Sequence, residues 1–247
     1  MWVRTDSRWS NARVLNGKGA GRGRLSFQLL SCSLAVAASM LIGVSTVSSV
    51  DMTNTLKPYT IVAFGTSLTA RAAWPDDLGR ALATCDGRPV VVTKIARSGE
   101  TTRWGLTQID TIAAARPDVV LIELYANDAA LNRFISVRQS RVNIASILTD
   151  LRARLPSARL AVMAMSPQLG LKSYIRPFVD DFIDAHFEEA RKRSVEHIDF
   201  RTDWKTVPSQ RLQEVILDGA HPDPGFASQL MAPRLTAFFQ TCNPSHP

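Results

Sequence analysis

The sequence predicts a three-layer α/β/α domain, with a five-stranded parallel sheet covered by helices on both faces. Three observations lead there. From residue 60 onward, short apolar runs alternate with longer segments of helical period. The runs are rich in β-branched residues and bounded by Gly, Pro, Asp or Asn. At 247 residues the chain has enough length for one sizeable domain plus an appendage.

The elements run in order along the chain. Residues 60–64, Thr-Ile-Val-Ala-Phe, read as a buried first strand that stops at Gly65. Pro75 can open a helix that carries Leu78, Leu82 and Ala83 to about residue 84. The turn residues of 86–89 break it, and residues 90–95 form the second strand. A helix over 102–115 ends before Pro117. Residues 119–124 are a third strand, apolar throughout apart from Glu123. A polar loop leads to a long helix over 136–155 and a fourth strand over 160–165. After an irregular loop at 167–177 a helix runs to about residue 192. A short fifth strand at 196–200, a short helix at 210–216 and a last helix over 224–240 complete the domain. This series resembles flavodoxin, with strand order 2-1-3-4-5.

The first fifty residues stand apart as a separate segment, leaving 51–247 as the folded domain. Arg4, Arg8, Arg13, Lys18, Arg22 and Arg24 face one acid, Asp6, and an uncharged run extends from Leu25 to Val50. Basic, then apolar, then small residues is the order of an export signal. The run also reaches the roughly 20 residues that span a bilayer. A cleaved signal peptide and an uncleaved signal anchor both fit, and both place the domain outside the cytoplasm, periplasmic or extracellular. The whole chain carries +7. With the segment's six bases and one acid set aside, the domain keeps about +2, too little to argue for a nucleic-acid partner.

In the expected topology the first and last helices share one face of the sheet, and Cys85 and Cys242 come just after their C-terminal ends. An oxidising compartment permits a disulfide between them, with two free thiols as the alternative.

The residues that can carry chemistry converge on one edge. Ser67 comes after Gly65 at the carboxyl end of the first strand, where open α/β sheets place their sites. His221 lies in a turn-rich loop before the last helix, and Asp218 at i−3 can fold back onto its Nδ1. Gly99 after the second strand and Asn127 after the third offer N–H donors, which with the Ser67 N–H could hold an oxyanion. The other histidines lie elsewhere and no Cys/His cluster occurs, so neither a metal nor an organic cofactor is expected. The G-x-S-x-G elbow of α/β-hydrolases does not fit, because this serine comes after the first strand and lacks the final glycine.

Gly65-Thr66-Ser67-Leu68, Gly99, Asn127-Asp128 and Asp218-Gly219-Ala220-His221 together resemble the four motif blocks of the SGNH (GDSL-type) hydrolase superfamily, in its order. The resemblance implies a serine esterase working through an acyl-enzyme. Ser67 would be the nucleophile, Asp218 and His221 the rest of the triad, and Ser67, Gly99 and Asn127 the oxyanion hole. Two positions depart from the pattern: Thr66 replaces an aspartate and Tyr125 replaces a glycine. Tyr125 is expected to narrow the acyl site, or else to mark a reshaped loop that would weaken the oxyanion assignment, and Tyr174 in the 167–177 loop to shape specificity. Short acyl esters, on small molecules or carbohydrate, are the expected substrates. An acyltransferase sharing the acyl-enzyme is one alternative, and a membrane-tethered binding module without turnover is another. Outside the substrate, the membrane is the one partner expected, through the N-terminal segment if it stays uncleaved.

Overall fold

The computed structural model describes residues 56–242, excepting the side chain at 241; the export or anchor segment at 1–50 lies outside them. Strand β1, Tyr59–Gly65, is buried along nearly its whole length because strands flank it on both sides. One-turn helix α1, Ser67–Ala70, comes directly after it. Helix α2, Trp74–Leu82, has Pro75 in its first turn, where the missing N–H costs nothing.

An unexpected strand comes next. Two residues, Thr84–Cys85, pair antiparallel with the start of the next strand and form β2 at the sheet edge. Positive φ at Asp86 and Gly87 makes the reversal so tight that no run of residues announces a strand. Strand β3, Arg88–Ala96, pairs parallel with β1 from Tyr59↔Val90 to Gly65↔Ala96.

The expected helix over 102–115 is two pieces, α3 at Thr102–Leu106 and α4 at Ile109–Ala114. Thr107 and Gln108 donate to the carbonyls three residues back, which tightens the turn and breaks the α-helical ladder. Strand β4, Val119–Glu123, is fully buried. In place of the expected polar loop, β4 leads into a buried one-turn helix, α5, at Tyr125–Asp128.

Helix α6, Val137–Arg154, starts at Ser136, whose side chain accepts from the Gln139 N–H. Strand β5 is Arg159–Ala164, and the loop after it contains the single turn α7, Leu171–Tyr174. Helix α8, Val179–Lys192, leads to β6, Glu196–Asp199. Short helices α9, Arg201–Trp204, and α10, Ser209–Val215, precede α11, Pro224–Phe238.

The sheet order is β2-β3-β1-β4-β5-β6. The sheet therefore has six strands rather than five, with the expected 2-1-3-4-5 order intact inside it and β2 added as an antiparallel edge. Helices α2, α9 and α11 pack together on one face, and α3, α4, α6 and α8 on the other. Cys85 and Cys242 are joined in a disulfide, tying the chain after α2 to the end of the domain.

Candidate active site

All of the site loops leave the carboxyl edge of the sheet. Gly65 ends β1 in close quarters: a Cβ there would collide with Thr69 Oγ1 and lie 2.9 Å from the Glu123 backbone oxygen. Only glycine lets the chain pass that point and deliver Ser67 to the edge. As the first residue of α1, Ser67 has a backbone N–H without an intrahelical partner.

Ser67 Oγ stands 2.7 Å from His221 Nε2, and His221 Nδ1 stands 2.6 Å from Asp218 Oδ2. The other carboxylate oxygen of Asp218 accepts the backbone N–H groups of Ala220 and His221, at 2.9 and 2.7 Å. Gly219 makes that fold-back possible, with φ +75° and no room for a Cβ beside the Leu169 carbonyl. Partial burial acts to raise the Asp218 carboxyl, but the hydrogen bonds from His221 and Ala220 outweigh it and hold it well below the usual carboxylate range. An ionised Asp218 keeps the proton on Nδ1, so Nε2 faces the serine as an acceptor.

Gly99 and Asn127 line the same open cleft as Ser67 and His221. Gly99 adopts φ +80°, and Asn127 is buried in α5. One N–H of the Asn127 amide donates to the Glu100 carbonyl at 2.8 Å, leaving its second N–H for the cleft. The amide is held from behind: Arg176 donates to Asn127 Oδ1 at 3.3 Å and to the Ala126 carbonyl at 2.8 Å.

Two expected substrate contacts move away from the cleft. Tyr125 is buried in the core, and its hydroxyl accepts the Met165 N–H at 2.9 Å. It lines no described cavity at Ser67, because α5 turns the side chain inward, with its hydroxyl at Met165 just past the end of β5. Tyr174 is 79% exposed on α7 and touches neither cavity at the serine. The residues that crowd Ser67 are others. Leu68, Ala72, Trp74, Met165, Trp204 and Met231 enclose an apolar cavity of about 30 Å³ beside it.

Behind the site lie polar groups to which the sequence pattern assigns no catalytic role. Glu123, the lone polar residue of β4, is fully buried and accepts from the Thr66 N–H and hydroxyl. Its interruption of an apolar strand was the available signal. Asp128 accepts from the Thr102 N–H and hydroxyl and from Ser140, whose oxygen also meets buried His186 Nε2 at 2.8 Å. Burial raises the Asp128 carboxyl against these hydrogen bonds, and burial lowers His186 to about 3. Among the described residues, no group of three or more His, Cys, Asp or Glu is arranged to hold a metal.

Residues 62–225 match the GDSL-like lipase/acylhydrolase family. The chain belongs to that family. It is therefore an ester hydrolase of the GDSL/SGNH type, in keeping with the four blocks that meet at this edge. No curated protein sequence matches it. Among solved structures it is similar to a lipase/acylhydrolase from Enterococcus faecalis, with TM-score 0.63 and 22% identity over 76% of this chain and 99% of that one. It is also similar to an esterase from Pseudoalteromonas sp. inhibited by monoethylphosphonate, with TM-score 0.56 and 19% identity over 74% and 99%. A catalytic mutant of an acetylxylan esterase from Geobacillus stearothermophilus gives TM-score 0.59 and 15% identity over 75% and 94%. At these identities the structures speak for the fold alone.

Proposed function

We propose that this chain is an exported serine esterase that cleaves short acyl esters through an acyl-enzyme on Ser67. The observation that carries the reading is the chain of contacts from Asp218 through His221 to Ser67, at 2.6 and 2.7 Å. His221 Nε2 takes the Ser67 proton as Oγ attacks the ester carbonyl. The oxyanion accepts from the Ser67 N–H, the Gly99 N–H and the second Asn127 N–H; one such donor is worth about 2.7–4 kcal/mol in the transition state. On collapse, His221 returns the proton to the departing alcohol. Water, deprotonated by the same Nε2, then releases the acid and frees Ser67.

The preference for short acyl groups rests on the cavity beside Ser67 rather than on Tyr125. Its volume of about 30 Å³ suits a methyl or ethyl group, on the scale of one or two water-sized spheres. Export is supported by the Cys85–Cys242 bond, since disulfides persist mainly in oxidising compartments. Acylated carbohydrate belongs among the substrates to test, because one structural neighbour is an acetylxylan esterase.

The test is an ester panel of increasing acyl length, together with a fluorophosphonate probe. Ser67 is expected to take the label, and kcat/KM to fall steeply from acetyl and propionyl to hexanoyl. An unlabelled Ser67 in folded protein, with Ser67→Ala matching wild type on the panel, defeats the reading. Product analysis with an added sugar alcohol separates hydrolysis from acyl transfer.

A further inference from the structure

The open cleft over Ser67, Gly99 and Asn127 is walled by cations. Arg71, Lys172 and Arg176 line it, and no carboxylate does. The Arg71 guanidinium stands 3.4 Å from His221 Nδ1. That nitrogen's proton points to Asp218, so Arg71 is packed beside the ring as a charge rather than bonded to it. Arg133 joins the group, its guanidinium 3.5 Å from where a Cβ at Gly99 would sit.

The carboxylates nearest the cleft are already engaged. Asp218 is held by His221, and Glu100 by Arg97. Among the described residues, Arg71, Arg133, Lys172 and Arg176 make no ion pair with any carboxylate. Arg176 commits Nε and one terminal nitrogen to Ala126 and Asn127, while its Nη1 is buried without a protein partner. Partial burial and the neighbouring Arg133 charge together push Arg176 down from its ordinary value, which marks two cations held close together. Lys172 and Arg176 are partly buried and Arg71 and Arg133 stand at the exposed rim, so together they set up a positive field over the cleft that favours an anion.

The second cavity at Ser67 is small and mostly apolar, lined by Trp74, Met165, Trp204 and Met231. Arg71 stands between the two and borders both, while Lys172 and Arg176 line the open cleft alone. The two walls thus divide the ester. A short neutral acyl group suits the apolar cavity, and the cationic cleft is left for the alcohol.

We propose that Arg71, Lys172 and Arg176 select esters whose alcohol portion carries a negative charge. A carboxylate, sulfate or phosphate on a small alcohol or on an acidic polysaccharide meets that requirement alike. The proposal rests on the hydrolase reading above and names its substrate class.

The test compares 4-acetoxybenzoate with its methyl ester, each kcat/KM normalised to the rate with free imidazole. The anion is expected to be favoured about tenfold at low salt, and the advantage to shrink to about twofold or less at 1 M ionic strength. Lys172→Glu and Arg71→Gln are each expected to cut the ratio severalfold, and Lys172 is half-exposed, so its replacement leaves the core alone. A second pair, phenyl hydrogen adipate and its methyl ester, puts the charge on the acyl side; both are slow because of their acyl length, so only their ratio is read, and it is expected to show no gain. Acidic-polysaccharide acetate against neutral-polysaccharide acetate then distinguishes the two sources of anionic alcohol. Equal rates for the first pair, or an advantage confined to the second, overturn the proposal while leaving the esterase reading intact. Failure of every ester, with no fluorophosphonate label, instead removes the esterase reading itself.

Discussion

Glu123 and Thr66 are joined twice: the Thr66 N–H donates to the Glu123 carboxyl at 3.0 Å, and the Thr66 hydroxyl at 3.0 and 3.1 Å. The residue before Ser67 is thereby fastened to the end of the neighbouring strand by a group with no contact to solvent. Where the family pattern has an aspartate, a neutral donor stands here. An aspartate would set two carboxyl groups against each other in the core, and threonine avoids that repulsion.

This arrangement has a pH signature. Burial pushes Glu123 from 4.5 up to about 7, against the hydrogen bonds from Thr66 and Thr69 that favour the ionised form. Folding favours the protonated carboxyl, so its contribution is full below about pH 4.5 and is lost as pH rises through about 7. About 3 kcal/mol is at stake. His186 acts with the opposite sign: burial lowers it from 6.5 to about 3, so its contribution is full above pH 6.5 and is lost as pH falls toward 3. The windows overlap, and only a variant separates them. Urea denaturation of wild type and Glu123→Gln between pH 5 and 8 is expected to show wild type losing ground as pH rises. A difference that does not change with pH would leave Glu123 without this role.

Tyr125→Phe tests the buried reading of that residue. It leaves the Met165 N–H without its acceptor in the core, at a cost of about 1–3 kcal/mol. Chemical denaturation measures that loss. The dependence of kcat/KM on acyl length is expected to stay as in wild type, since the ring lies outside the cavity. A shift toward longer acyl groups would return Tyr125 to the acyl site.

The Cys85–Cys242 bond closes a separation of 157 residues. In the chain-entropy picture a loop of that size contributes about 5 kcal/mol through the unfolded state. Replacing both cysteines with alanine is expected to lower Tm markedly, yet to keep kcat/KM at temperatures where the protein stays folded. Cys85 pairs with the start of β3, and Ser67 lies beyond the opposite end of β1. Loss of activity in the folded variant would show that the tie reaches the site.

Much of this molecule was legible because its signals are local. The buried strands announced themselves as short β-branched runs. Gly65, Ser67, Gly99, Asn127, Asp218 and His221 lie at one edge as their places next to strand ends and turns suggested, although Ser67 and Asn127 stand on one-turn helices rather than in loops. The disulfide required only that topology bring two helix ends together. Other features depend on direction and contact, which spacing does not encode. Tyr125 occupies a loop position in the motif, yet α5 rotates its side chain inward to Met165. β2 is two residues long and has no periodicity to detect. Arg71, Lys172 and Arg176 are scattered over 106 positions, and only the fold makes one wall of them.

The central claim is a covalent one, and the direct measurement is the mass of the Ser67 peptide after quenching a reaction with 4-nitrophenyl acetate in acid within milliseconds. One added acetyl group is expected on Ser67 in wild type. In Asp218→Asn the acetylation rate is expected to fall by about 10³–10⁴-fold, because the imidazole loses the carboxylate that orients it. Turnover of the ester with Ser67 unmodified at every time point, and with Ser67→Ala as fast as wild type, would contradict it.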